Sequence, residues 1–234
     1  MTPWSIPRMW EGGECWIIGG GPSMPLEFGV PKDVIEGVLS GDLPLSAYSP
    51  FLSPIHDKHV MGINVAFLLG EWVDVVHFGD GGFYLANKAL LDAFPKVKVT
   101  CHPEVIKRKD VFDVKYVPRA QNHPRGISDK RNTVSWNLNS GACGINLAYW
   151  LGVKRVYLLG FDMNVMEGAQ HWHRHYAKDK TPKARDPKKL PFKRHLECFP
   201  MVAKDAARLG MEIINVSPNS KIESFKRVKL SDVL

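Results

Sequence analysis

Short apolar runs alternate along the chain with segments in which apolar residues recur at helical spacing. Apolar runs bounded by Gly, Pro or charged residues are typical of strands that are covered on both faces. We predict strands at Cys15–Ile18, His59–Ile63, Val73–Phe78, Val97–Cys101, Val114–Val117, Arg155–Leu159 and Glu212–Val216. The helical patterns fall at Phe83–Phe94, Ser140–Leu151 and His195–Leu209, and a short helix is expected around Pro31–Leu39 inside a loop from Pro25 to Pro54. The alternation predicts an α/β protein with three layers, a mostly parallel sheet between helices.

The composition indicates a folded chain. Of its 234 residues, 44% are apolar and 24% are charged, so the simplest organisation is one domain over residues 1–234. No apolar run approaches the roughly 18 residues of a membrane span, and the first residues lack the apolar stretch of a signal peptide. We therefore expect a cytoplasmic protein without a membrane partner.

The four cysteines are Cys15, Cys101, Cys143 and Cys198, widely scattered along the chain. No C-x-x-C pair occurs. This spacing favours reduced, partly buried thiols over a disulfide framework or a zinc site.

Positive charge is concentrated in one segment. The formal charge is +7, and nine Lys or Arg residues lie between Arg174 and Arg194 against only two acidic residues. Three prolines in the same segment prevent regular structure. We predict a basic loop insertion, which either is simply solvated, closes over nucleotide phosphates, or lies along a nucleic-acid backbone.

The first predicted strand runs into Gly19, Gly20, Gly21, Pro22 and Ser23. Glycines can take positive φ and let a ligand approach the backbone, and proline fits the first turn of a helix. The free N–H groups of a helix starting there would face an anion. The spacing matches neither the G-x-G-x-x-G motif nor the P-loop. The segment therefore predicts either a turn of the right size to bind a phosphate or an ordinary tight turn.

Polar residues follow the other predicted strands as well. Ligands of parallel sheets bind beyond the carboxyl ends of the strands, so these residues are candidates for a nucleotide-sized crevice. A single such residue would more simply cap a helix. The candidates are Asn64, Asp80 in Gly79–Gly82, Asp162 after Gly160, Asn219 and Ser220 in Ser217–Ser220, and Asn139, Ser140 and Gly141 at the start of a helix.

His171, His173 and His175 occupy every second position of one segment. In an extended segment they would share one face, a geometry suited to metal binding or to a general base. Imidazole has an unperturbed pKa of about 6.5, so any of them can accept a proton from an acceptor hydroxyl at neutral pH. Asp162 could orient a histidine or hold a divalent ion. A surface tract with neither role is the alternative.

In their order along the chain, these motifs resemble bacterial sialyltransferases of the lipooligosaccharide type. They are equally similar to the superfamily of archaeal 6-hydroxymethylpterin diphosphokinase-like proteins and motility-associated flagellin glycosyltransferases, which has phage-type members. The similarity spans about Cys15 to Phe225. Its motifs are the glycine turn through Met24, Ile63-Asn64, the block Asn139–Met163, the histidines and Ser217–Ser220.

The resemblance implies a Rossmann-like fold with a nucleotide contacted by the Gly-Pro-Ser turn, Asn64 and Ser140. It also implies a base histidine between the Gly-Phe-Asp strand and the final helix. His195 matches that base by its distance to the Ser-Pro-Asn-Ser segment, whereas the His-Trp-His cluster resembles the phage-type members, and we favour His171 and His173. The tyrosine pair that holds the leaving phosphate in sialyltransferases has no clear counterpart, although Tyr157 and Tyr176 are present.

Asp80 departs from the sialyltransferase pattern. Together with Asp162 it would favour a diphosphate bound through Mg²⁺ or Mn²⁺.

From these observations we expect a nucleotide-dependent transferase, specifically a glycosyltransferase with a nucleotide-sugar donor and a histidine general base. A polyanion such as modified DNA is a conceivable acceptor. One alternative is an ATP-dependent pyrophosphokinase acting on a small hydroxymethyl compound. The other is a non-catalytic nucleic-acid-binding protein that grips its partner through the basic loop. The sequence leaves the oligomeric state open.

Overall fold

The computed structural model describes residues 2–166, 168–175 and 191–234. Within them the strands form one eight-stranded, all-parallel sheet in the order β5-β4-β3-β2-β1-β6-β7-β8. The strands are β1 (Glu14–Ile18), β2 (Val60–Ile63), β3 (Val75–Phe78), β4 (Val97–Thr100), β5 (Val114–Tyr116), β6 (Arg155–Leu159), β7 (Glu212–Asn215) and β8 (Lys226–Arg227). Seven of them coincide with the predicted runs to within two residues at either end, and β8 was not predicted.

The helices are α1 (Ser23–Glu27), α2 (Lys32–Ser40), α3 (Gly81–Ala93), α4 (Pro103–Ile106), α5 (Ser140–Trp150), α6 (Phe192–Leu196) and α7 (Phe199–Arg208), with 3-10 helices at Leu45–Ile55, Asn64–Leu69 and Leu230–Asp232. Two predictions need correction. The helix predicted over His195–Leu209 is two helices, because Pro200 in the first turn of α7 lacks the N–H that would continue the hydrogen bonds of α6. The region predicted as a long loop from Pro25 to Pro54 with one short helix contains that helix as α2, but it is otherwise largely helical too, and Pro31 and Pro44 directly precede two of its helices.

Alternate residues of each strand point into two separate apolar clusters. Ile17 of β1 packs in one cluster with α5 and α7, while its neighbours Trp16 and Ile18 pack in the other with α2, α3 and the Leu45–Ile55 helix. Both faces of the sheet are therefore covered. The three-layer α/β fold with a parallel sheet is confirmed.

Most of the predicted basic loop lies outside the described residues, as does Tyr176. Of its nine basic residues, the structure describes only Arg174, Lys193 and Arg194. No helix of the described part is long and apolar enough to cross a membrane.

Candidate active site

A cavity of about 380 Å³ opens at the carboxyl edge of the sheet, within the range of small-molecule sites. It lies where the strand order reverses, because β1 is flanked by β2 on one side and β6 on the other. Parallel sheets bind their ligands at this kind of switch point. The predicted site residues that line the cavity are Gly19, Gly20, Gly21, Asn64, Asp80, Asn139, Ser140, Gly141, Asp162, His171, His173 and His195.

The turn after β1 requires glycine, but not because of the positive φ that the sequence suggested. None of Gly19, Gly20 and Gly21 has positive φ; the positive φ in this region belongs to Gly160, at +64°. A Cβ on Gly19 would lie 2.8 Å from the Gly160 carbonyl oxygen. A Cβ on Gly21 would collide with the Asp162 carboxylate. These glycines are required because the loop after β6 packs directly on the turn.

Asp162 joins the turn to that loop. Its side chain is buried and accepts hydrogen bonds from the Ser23 backbone N–H at 2.8 Å and from the Ser23 hydroxyl at 2.5 Å. The Ser23 and Ser217 hydroxyls are 2.8 Å apart. Asp162 therefore joins the segments that follow β1 and β6, and Ser23 extends the connection to the segment that follows β7.

Helix α5 begins at the cavity. The Asn139 side chain caps it by accepting from the N–H groups of Gly141 and Ala142 at 2.9 and 3.2 Å. Asn139 is thus the cap, and Ser140 is the first helical residue. The Asn139 Nδ2 atom is buried without a hydrogen-bond partner in the described residues, as is Asn64 Oδ1 on the opposite wall. Buried polar atoms are rarely left unpaired, so both are suited to contact a ligand.

The two carboxylates predicted as metal ligands have other partners. Asp80 caps α3 by accepting from the N–H groups of Gly82 and Phe83, while both oxygens of Asp162 accept from Ser23. Among the described residues neither belongs to a group of three close His, Cys, Asp or Glu ligands. The Mg²⁺ or Mn²⁺ site at these positions stays a prediction.

The histidine segment packs on the glycine turn. His171 Nδ1 lies 3.1 Å from the Gly20 carbonyl oxygen, and Trp172 Nε1–H donates to the Gly19 carbonyl oxygen at 2.7 Å. The rings of His171 and His173 are stacked, with centroids 5.1 Å apart and planes 7° from parallel. The segment is bent rather than extended, yet these two histidines lie side by side at the cavity.

His175 departs from that arrangement. Its Nε2 lies 2.5 Å from Asn87 Oδ1 of α3, and the residue does not line the cavity. A bend in the backbone at this segment removes the common face that an extended strand would have given the three histidines.

Burial changes the titration of two of the cavity histidines. It lowers the pKa of His173 well below its ordinary value, and the neighbouring imidazoles of His171 and His175 lower it further. Burial also lowers the pKa of His195, on α6 at the far wall, with a smaller contribution from the Arg194 charge. Both imidazoles are therefore held in the neutral form at neutral pH.

An aromatic wall was not foreseen from the sequence. Trp136 and Phe161 line the cavity, and the Arg119 guanidinium lies over the Trp136 ring at 3.8 Å from its centroid. Arg119 also donates to the Gly79 carbonyl oxygen at 3.0 Å. Trp136 lies in irregular backbone between β5 and α5, where no periodic pattern marks a residue as functional.

Four predicted residues lie behind the cavity wall instead of lining it. Ser220 Oγ donates to the Phe161 carbonyl oxygen at 2.6 Å, and the Asn219 carbonyl oxygen accepts from Asn164. Pro22 precedes α1, and Ser23 holds Asp162. In the described structure they support the loops that form the site.

No family model and no curated protein matches the chain. Solved structures share its fold. One is the MAf glycosyltransferase from Magnetospirillum magneticum AMB-1, which is 16% identical with a TM-score of 0.61, the match covering 100% of this chain and 36% of that one. Another is a variant of the sialyltransferase CST-II in complex with CMP, 15% identical with a TM-score of 0.52, covering 92% and 86% of the two chains.

The sialyltransferase CstII from Campylobacter jejuni in complex with CMP also matches, at 15% identity and a TM-score of 0.48. This chain spans about a third of the length of the MAf glycosyltransferase. At these identities the similarity shows the fold, and the Rossmann-like architecture expected from the sequence is confirmed.

Proposed function

We propose that the chain is a single nucleotide-binding domain that acts as a glycosyltransferase, taking a sugar from a nucleotide-sugar donor bound in the cavity. The observation that carries this proposal is the cavity at the switch point of the sheet, where the glycine turn, the start of α5 and three histidines meet. The shared fold with a glycosyltransferase and with a CMP-bound sialyltransferase supports the same class of reaction.

The donor site follows from the polar atoms of the walls. Asn64 Oδ1 and Asn139 Nδ2 offer one acceptor and one donor that the described protein leaves unpaired. Because Asn139 already occupies the N–H groups of Gly141 and Ala142, phosphate is assigned to the Ser140 hydroxyl and the positive end of the helix dipole. Trp136 supplies a flat surface for a base or sugar, held in place by Arg119.

His171 is the proposed general base. A carbonyl oxygen can only accept a hydrogen bond, so its contact with Gly20 places the proton on Nδ1 and makes Nε2 the basic nitrogen. The acceptor hydroxyl attacks the sugar carbon and gives its proton to Nε2, while the bond from that carbon to the donor phosphate breaks and the nucleotide leaves with the electron pair. His173 is 4% exposed. We therefore assign it to packing against His171 and not to contact with an acceptor. His195 is the second candidate for the base.

The first experiment is a thermal-shift screen of the purified protein with CMP, UDP, GDP, ADP and ATP, each with and without Mg²⁺ or Mn²⁺. A nucleotide at 100 times its dissociation constant stabilises by about 2.7 kcal/mol, or roughly 5–11 °C for a chain of this size. A rise with one nucleoside mono- or diphosphate supports the proposal. A response to ATP alone, with AMP release, would indicate a pyrophosphokinase.

No shift with any nucleotide, together with salt-sensitive DNA binding, would indicate a binding protein. The net charge of +7 is the reason to include DNA, also as an acceptor.

Replacement of the histidines tests the base. His171→Asn keeps an N–H near Nδ1 for the Gly20 carbonyl and removes the basic nitrogen, so we expect transfer to slow by roughly 100- to 10,000-fold with donor binding unchanged. His59→Gln is the control, since His59 is exposed and stacks on Trp10 away from the cavity. Full activity in His171→Asn and loss in His195→Gln would transfer the role to His195.

A further inference from the structure

A second group of reactive side chains lies inside the protein. His77 of β3, Cys101 directly after β4 and Cys143 of α5 place one ligand atom each within 4.8 Å of one another. All three residues are 0% exposed. Among the residues that the structure describes, no other three His, Cys, Asp or Glu side chains bring their ligand atoms this close together. None of the three lines the cavity.

His77 is the unusual member. It occupies a strand whose other residues are apolar and buried, and neither of its ring nitrogens has a hydrogen-bond partner in the described residues. Buried polar nitrogens nearly always have a hydrogen-bond partner, so the lack of one at both ring nitrogens calls for an explanation. A metal ion bound by one nitrogen supplies a partner there and accounts for a histidine at this position.

We propose that His77, Cys101 and Cys143 bind one thiophilic cation, with Cu⁺ preferred to Zn²⁺, and that this ion fixes β3, β4 and α5 to one another beneath the cavity. Two sulfurs and one imidazole form a soft donor set. Metal–sulfur bonds of about 2.3 Å and metal–nitrogen bonds of about 2.0 Å place such donors roughly 3.5–4 Å apart. The three ligand atoms lie within 4.8 Å of one another, so binding would draw them together by about 1 Å at most.

Ligand number favours the monovalent ion. A structural Zn²⁺ requires a fourth ligand, and the described residues supply three at this point.

Binding exchanges two thiol protons for the metal ion, because thiolates are the ligands. The Cys143 thiol donates to the Ser135 carbonyl oxygen at 3.0 Å, and metal binding replaces this hydrogen bond.

The test is made on the full chain purified under reducing conditions. Metal content is measured by elemental analysis, and the metal-free protein is titrated with Cu⁺ against a chelator and, separately, with Zn²⁺ and Co²⁺. We expect one equivalent per chain and a thiolate-to-metal absorption band. Cys143→Ser and His77→Gln should lose the equivalent, whereas Cys15→Ala, which changes a buried cysteine outside the cluster, should keep it.

Two results on the unmodified protein would overturn the proposal even if the variants fail to fold. One is the absence of any bound equivalent with all four thiols free in denaturant. The other is a disulfide between Cys101 and Cys143 in a peptide map of the native protein. Tight binding of Zn²⁺ with none of Cu⁺ would keep the site and overturn the preference for the monovalent ion.

Discussion

Replacing Asp162 tests the strongest claim made for the site, that a buried carboxylate holds the glycine turn. In Asp162→Ala the Ser23 backbone N–H loses its acceptor, because its 2.8 Å bond goes to Oδ2. The Ser23 hydroxyl keeps one partner, since Ser217 Oγ is 2.8 Å away. In Asp162→Asn the side-chain oxygen still accepts from the N–H, and the new NH₂ group can donate to the Ser23 hydroxyl.

These contacts set the size of the effect. A hydrogen bond to a charged group contributes about 1.5–3 kcal/mol, and two are lost in the alanine variant. The Ser23 hydroxyl keeps its hydrogen bond to Ser217, so the cost is smaller than that of two hydrogen bonds left wholly unpaired. We expect the free energy of unfolding to fall by about 3–5 kcal/mol, comparable to the breaking of a buried charged contact. The asparagine variant loses only the charge contribution, about 1–2 kcal/mol.

Urea unfolding followed by fluorescence gives both numbers, provided that the slope of the transition is unchanged. Asp80→Ala is the matched control, because Asp80 is exposed and caps α3, and such a loss costs about 0.5–2 kcal/mol. An alanine variant within 1 kcal/mol of the parent, on the order of one surface contact, would refute the reasoning. Equal losses in Asn and Ala variants would show that the charge, not the hydrogen bonds, matters.

Three further predictions address the same region. Gly21→Ala should destabilise by about 1–3 kcal/mol because its Cβ meets Asp162 and the Gly160 carbonyl; a neutral result in urea unfolding would contradict this packing. Trp172→Phe should cost about 1–3 kcal/mol by leaving the Gly19 carbonyl unpaired, which the melting temperature reports. The folded pKa of His173 lies below its unfolded value of about 6.5, so its contribution to stability is complete above that pH and is lost as the pH falls. His173→Gln should therefore flatten the decline in melting temperature between about pH 7 and 5, and an identical decline in both proteins would argue against it.

The fold could be predicted because a parallel sheet covered on both faces leaves a strong signal. Six of the seven predicted strands contain a run of three or more buried residues, and burial on both faces is what a continuous apolar run indicates. β8 carries two exposed basic residues, Lys226 and Arg227, and no such run exists to mark it. The break between α6 and α7 was missed because the apolar spacing continues across Pro200, although proline itself was the available signal.

The position of the site was predictable, but the roles of its residues were only partly so. Carboxyl ends of parallel strands meet at one edge, so Gly19, Asn64 and Asp162 could be placed together from the sequence. A glycine can be required because its φ is positive or because a neighbouring group leaves no room for a side chain. The second reason cannot be read from the sequence, since Asp162 lies against Gly21 only in the folded structure. The proximity of Cys101 and Cys143 to His77 likewise cannot be read from their spacing in the sequence, because the three residues belong to different parts of the fold.

The glycine turn is held from both sides by residues of the neighbouring loops, two of which also line the cavity, and this constrains how activity losses can be interpreted. Trp172 and His171 bind the glycine turn through its carbonyls, while Asp162 binds the residue that follows it. A change to any of them shifts the donor site, since a displacement of about 1 Å is enough to cost a hundredfold in rate. Loss of transfer in a single variant is therefore not evidence for a catalytic role. A base is distinguished by loss of rate with unchanged donor binding and stability, and His171→Asn is designed for that comparison because it keeps the contact with Gly20.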